Sequence, residues 1–344
     1  MTAAELVRIR AGGIALRVRR RAVWVTGIAL GACLALALLA LAWGDVTLPL
    51  GDVVQALLGG GSPRARLVVL EWRLPRVALA LLLGACLAVS GAIFQSLTRN
   101  PLGSPDIIGF STGAYTGALL SIVLTGGGYL LTAAGSLAGG IATAGLVSLL
   151  AYRRGLQGFR LIIVGIGVSA TLASVNTLLI VRADLDVALR AAVWGAGSLS
   201  GSSAEQLVPV ALLSLVLLPL AMAGGPVLRQ LELGDDAARA LGTRAERSRL
   251  LLMLLGVALT AIATAAAGPI AFVALVAPQI ARRLTRAAGP AIGASAAIGA
   301  ALLLAADVAA QRLFSPTPLP VGIMTVCLGG AYFVWLLVRE ARKG

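Results

Sequence analysis

Long apolar runs separated by short polar segments rich in glycine and proline set the pattern of this 344-residue chain. An apolar run of about 20 residues is long enough to cross a bilayer as a helix. Ten such runs are predicted as spans, at 23–43, 76–98, 107–124, 129–151, 161–181, 207–223, 250–267, 270–284, 290–307 and 321–338. The run at 270–284 is the shortest and reads as a half-length or tilted helix. The run at 23–43 is too long for a signal-peptide core, and no small-residue cleavage site closes it. It follows an arginine-rich segment, 1–22, and residues 44–75 read as a mixed loop. The chain is thus one membrane domain over 23–338 with short polar ends, the tail being 339–344.

Two interruptions of the pattern stand out. The run at 76–98 opens on Arg73-Leu-Pro-Arg76 and is broken sharply by an elbow, Arg99-Asn100-Pro101-Leu102-Gly103-Ser104-Pro105. The second is a polar block over 225–249. Within it, residues 233–242 have helical spacing with Gly234 near one end and Gly242 at the other, and they carry Asp235, Asp236, Ala238, Arg239 and Leu241. This reads as a short cytoplasmic helix, either an ordinary solvated turn or one shaped to dock into a soluble partner.

Composition agrees with the pattern. The chain is 59% hydrophobic and 12% charged, against roughly 45–50% and 25% in soluble domains. It is therefore an all-α polytopic membrane protein. The formal charge of +14 invites a nucleic-acid reading, but that needs a basic soluble face, and the charge is topological instead. With the N-terminus in the cytoplasm, 21 of the 28 Lys and Arg fall on the cytoplasmic side. Only Arg64, Arg66, Arg73, Arg76, Arg182, Arg190 and Arg312 fall outside. The positive-inside rule then places both termini in the cytoplasm.

The chain has no histidine, and its one lysine is Lys343. His-based acid–base chemistry, His-ligated metal sites and a P-loop are excluded. No catalytic set and no metal-ligating set is predicted, and Cys33, Cys86 and Cys327 all lie inside apolar runs without a CxxC pair. Buried charge is the usual mark of ion coupling in a membrane. Asp307, near the outer end of its run, is the one acid in view, and Gln95 and Asn176 are the polar side chains proposed to line a pathway. An ion-driven transporter would show a mid-membrane carboxylate, so the energy source is expected to be external. The spacings Gly113/Gly117 and Gly135/Gly139 predict close helix packing.

The phrases RLPR, GA-LA-SG--FQ, RNPL, LG--AA-ALG, AGPIAFVALVAPQIARR and LP-VGI-T resemble the permease family of iron–siderophore and vitamin B12 ABC importers. Within that family the phrases EWRLPRV, SGAIFQSLTRNPLGSPD and FRLIIVGIGV are most similar to ferric-enterobactin permease subunits. The likeness runs from about residue 70 to the C-terminus. It implies a type II importer architecture in the bacterial inner membrane, with two ATPase subunits beneath, a second permease beside it and a siderophore-binding protein outside. Cofactors would be none for this chain, with ATP and magnesium on the ATPases. The resemblance makes Arg73 and Arg76 docking residues for the binding protein, with Arg312 offset by one position from a third. It makes Asn100 and Leu102 the cytoplasmic gate, and Gly234 through Gly242 the coupling helix. The sequence departs from the family at Gln279, where a histidine is usual. Vitamin B12, haem or another chelate as cargo, and a secondary transporter from a different class, remain the alternatives at this point.

Overall fold

The computed structural model describes residues 6–11, 14–44, 46–126, 128–152, 158–314 and 317–341. Arg153 and Arg154, counted above on the cytoplasmic side, and tail residues 342–344 lie outside the described residues.

Helix α1 (Arg20–Ala42) leads to two short helices, α2 (Leu50–Leu57) and α3 (Pro63–Arg66). Helix α3 continues through a π-helical segment, Leu67–Arg73, into α4 (Leu74–Thr98). Pro75 explains the widened turn. It has no N–H to give to the fourth residue before it, and its ring crowds that carbonyl. The segment read as a loop at 44–75 is therefore largely helical. After α4 come α5 (Phe110–Thr125), α6 (Tyr129–Ala151), α7 (Gly158–Arg182), α8 (Leu185–Gly195) and α9 (Ala204–Ala223). The polar block forms α10 (Gly225–Glu232) and α11 (Asp235–Ala240) and opens α12 (Ala245–Ala267). Helices α13 (Val273–Thr285), α14 (Ile292–Arg312) and α15 (Val321–Ala341) complete the fold.

Ten of these helices match the ten predicted runs. Among the described residues, seven are long and apolar enough to cross a membrane unaided. Helix α5 is a shorter apolar element of 16 residues, and α13 has the expected half length at 13 residues. Helix α8 was not predicted; its Asp and Arg residues broke the apolar pattern. The N-terminal segment also differs from expectation. Strands β1 (Leu6–Ala11) and β2 (Ile14–Arg19) pair antiparallel, with Leu6 opposite Arg19 and Ala11 opposite Ile14. Alternating apolar and basic residues suit a strand.

Helix α4 is the axis of the bundle. In its most apolar window 78% of residues are buried, against 17% for α1, α7 and α9. It packs on α14, α12, α13 and α9. Small residues permit this: a Cβ on Gly91 would lie 1.7 Å from the Ala274 carbonyl oxygen, and one on Gly84 2.4 Å from that of Gly299. The two predicted glycine pairs form a single seam between α5 and α6. A Cβ on Gly117 would meet the Gly135 carbonyl at 2.0 Å, and one on Gly139 that of Gly113 at 2.3 Å. Here the small residues serve packing.

Candidate functional site

The elbow after α4 is built by local backbone chemistry. Arg99 takes the left-handed conformation (φ 51°) and ends the helix. Its N–H bonds the Ser96 carbonyl at 3.2 Å and the Asn100 N–H bonds that of Gln95 at 3.1 Å, the paired closure of a Schellman turn. The Asn100 side chain then accepts the Leu102 N–H at 2.9 Å, an Asx turn that carries the chain past Pro101. Leu102 stands exposed at the tip. The RNPL motif is thus a self-contained turn, with Asn100 shaping the backbone that presents Leu102.

Three ties fix this elbow and the end of α4 to the half-helix α13. Gln95, 2% exposed, donates to the Leu275 carbonyl at 2.9 Å. Gln279, the departure from the family pattern, donates to the Pro101 carbonyl at 3.0 Å. Asp106 lies at the third. Its Oδ1 accepts from Ser111 at 2.7 Å, and the Phe272 main-chain N–H faces the carboxylate. Asp106 as a residue keeps partial exposure, yet its Oδ2 is enclosed and has no donor. Phe272, at φ 69°, is another non-glycine residue in the left-handed region, and it opens α13. Gln95, expected to line a pathway, is thus an interhelical tie. Asn176 is 4% exposed, and its Oδ1 has no partner.

The polar block lies directly beneath the elbow. Gly234 (φ 115°) and Gly242 (φ 84°) adopt conformations that residues with a Cβ rarely reach, so the glycines bounding α11 are required by the turns. Ala238 is fully buried, whereas Leu241 is exposed and Asp236 and Arg239 form an exposed pair at 3.1 Å. Asp235 turns inward instead. It pairs with Arg99 at 2.8 Å and with the mostly buried Arg249 of α12. Arg99 also donates to the Leu231 carbonyl at 3.1 Å. Beside them Glu232 accepts from Ser96 at 2.8 Å and pairs with Arg282 of α13 at 3.3 Å. Partial burial pushes the Asp235 carboxyl up, but the Arg249 hydrogen bond and the Arg249 and Arg99 charges outweigh it. The carboxyl is held below its usual range.

An ionic network therefore ties α11 and the end of α10 to the turn that precedes Asn100 and Leu102, and the residues that make it, Arg99, Glu232 and Arg249, were not singled out in the sequence. Asp106 was missed as well. A signal for Arg99 was present: an arginine ending a transmembrane run, with unassigned acids in the one long polar block.

At the opposite end of α4, two of the three arginines of the docking prediction, Arg73 and Arg312, hold the end of α1, and the third, Arg76, binds α14. Arg73 donates to the carbonyls of Leu41 at 2.7 Å and Val46 at 2.6 Å. Arg312 donates to the Trp43 carbonyl at 2.8 Å and lies over the Trp43 ring, 5.8 Å from its centroid. Arg76 forms a two-pronged pair with Asp307, Nε to Oδ2 at 2.9 Å and Nη2 to Oδ1 at 2.8 Å. Gln311 donates to the same carboxylate at 2.8 Å. Helix α14 runs five residues beyond the predicted end of its span, to Arg312, so Asp307 lies inside the helix and is 1% exposed.

The FecCD transport family matches residues 32–339. The chain is 51% identical to the ferric enterobactin transport system permease protein FepG of Escherichia coli, over 95% of this chain and 99% of that protein. It is 38% identical to a siderophore transport system permease protein, YfhA, of Bacillus subtilis, over 91% and 93%. A solved structure described as an inward-facing metal-chelate type ABC transporter superposes with a TM-score of 0.82 at 27% identity, covering 92% of this chain and 99% of that one.

Proposed function

This chain belongs to the FecCD transport family, a family of ABC-importer permeases, and from that premise we propose that it carries a ferric catecholate siderophore of the enterobactin kind across the bacterial inner membrane. The observation that carries the substrate class is the 51% identity to a ferric enterobactin permease over nearly the whole chain. The composition of the spans supports it. The one acid buried within the described spanning helices, Asp307, is paired with Arg76, so those helices present no unpaired buried carboxylate to a bulky anionic cargo. The same pairing removes Asp307 as an ion-coupling carboxylate, which would have to be free to load and release an ion.

In this reading two ATPase subunits bind beneath α11 and supply ATP and Mg²⁺, and the chain itself holds no cofactor. Asp236, Arg239 and Leu241 form the exposed docking face, while Asp235 faces the elbow. A second, non-identical permease completes the pathway, with Asn100 and Leu102 as the cytoplasmic gate. A siderophore-binding protein docks on the outer rim at Arg73, Arg76 and Arg312, of which Arg73 and Arg312 are held by main-chain carbonyls and keep their charge. Fixed rim charges set register and association rate more than affinity.

The test is co-purification of tagged chain from its native membrane, with the bound subunits identified by mass spectrometry, followed by uptake of radio-iron as ferric enterobactin. An ATPase, a second permease and uptake support the reading. Two copies of this chain with an ATPase keep the importer and remove the non-identical partner. Uptake of ferric hydroxamate or citrate in place of enterobactin replaces the substrate, and absence of any ATPase overturns the reading.

A further inference from the structure

We infer that Arg99 is the positioning residue through which movement of α11 reaches the gate, an inference that rests on the permease reading above. Arg99 belongs to both elements at once. Its backbone is the left-handed turn that ends α4 and starts the elbow, one residue before Asn100. Its side chain is held from below by two groups of the polar block, the Leu231 carbonyl at the end of α10 and the Asp235 carboxylate at the start of α11. Asp235 is held in turn by Arg249, at the cytoplasmic end of α12.

Two features argue for transmission over stabilisation. The Arg99–Asp235 pair is partly solvated, with side chains 44% and 35% exposed, and ion pairs of that exposure contribute little to stability. A left-handed backbone is also unfavourable for arginine and free for glycine. If ending α4 were the sole task of this position, glycine would do it better. The side chain is what glycine lacks, and its contacts all lead to the coupling segment. A rigid-body shift of α10–α11 is therefore passed first to the turn that carries Asn100 and Leu102. The parallel contact of Glu232 with Ser96 and Arg282 holds α10 to the last turns of α4 and α13, so the segment pulls on the elbow rather than sliding past it.

Arg99→Gly is the informative variant because it preserves the backbone turn. The assay uses the full complex with its ATPase subunits in nanodiscs. Cys33, Cys86 and Cys327 are replaced, and Leu102→Cys reports labelling by a membrane-impermeant maleimide with and without ATP and vanadate. The parent complex should show a nucleotide-dependent change in labelling of about 10-fold, and Arg99→Gly should reduce it below about 2-fold while the ATPase remains bound and turning over. Asp235→Asn should reduce the change similarly, and the double variant should go no further, because contacts in one chain of transmission are not additive.

An unaltered labelling response in Arg99→Gly, or an additive fall in the double variant, overturns the inference and leaves the permease reading intact. Loss of the ATPase from the Arg99→Gly complex also overturns it, making Arg99 an assembly residue. A parent complex that binds its ATPase but shows no nucleotide-dependent labelling removes Leu102 as gate, and the inference with it. A parent chain that brings down no ATPase overturns the permease reading itself.

Discussion

Removing Arg76 should destabilise the protein far more than removing an exposed arginine, and the structure sets the scale. The Asp307 carboxylate is 1% exposed and accepts three hydrogen-bonded contacts of good length, two from Arg76 and one from Gln311. Arg76→Leu leaves that carboxylate enclosed with Gln311 alone. Breaking a buried ion pair from one side is expected to cost about 3–5 kcal/mol. Asp307→Leu leaves the opposite charge on Arg76, whose side chain is 19% exposed and can turn toward water, so its loss should be smaller, about 2–3 kcal/mol. Arg76→Leu with Asp307→Leu removes both charges and fills the space with apolar atoms between α4 and α14. Such paired replacements are often near neutral, so the double variant should lie within about 1 kcal/mol of the parent. The assay is equilibrium unfolding in mixed detergent micelles followed by tryptophan fluorescence, with all four proteins measured as one cycle. A double variant as unstable as the two singles summed, to within about 0.5 kcal/mol, would refute the reasoning, because the two groups would then be acting independently.

Further expectations follow from the remaining contacts. The Asp235 carboxyl is depressed below its ordinary value of 3.8. The stability it contributes is therefore complete above that value and is lost as pH falls through the lower folded one. Asp235 stays charged between about pH 6 and 8, so the ratio of gate labelling with ATP to that without should show no step in that range that Asp235→Asn removes; such a step would contradict its assignment. Gly117→Leu drives a side chain into the Gly135 carbonyl and should reduce stability by about 1–3 kcal/mol or more, measured by the same unfolding assay; an unchanged value would mean that the α5–α6 seam is not closed. Asp106→Asn keeps the Ser111 acceptor while removing a charge whose Oδ2 has no donor. Its stability should stay within about 1 kcal/mol of the parent, and a loss beyond about 2 kcal/mol would show that the charge is satisfied in the membrane-embedded protein.

The periodic features were legible in the chain, because hydrophobic length alone decides whether a segment spans a bilayer. All ten runs became helices, the half-length 270–284 included. Short-range motifs were legible too: Asn100-Pro101 as a turn, Gly234 and Gly242 as boundaries of α11, and the two glycine pairs as a packing seam. Each depends on backbone geometry within a few residues or on one face of one helix.

What only tertiary structure decided is which distant groups share an environment. Asp235 and Arg99 are 136 residues apart, and Arg76 and Asp307 are 231 apart. No local pattern says that the first pair joins α11 to the elbow, or that the second fixes the start of α4 to α14. The same limit explains Gln95, a polar side chain in an apolar run that suggested a pathway and instead bonds the Leu275 carbonyl. Apolar length is a property each segment carries alone. The partner of a buried charge is chosen by packing, because only the assembled bundle sets which opposite charge lies within hydrogen-bond reach.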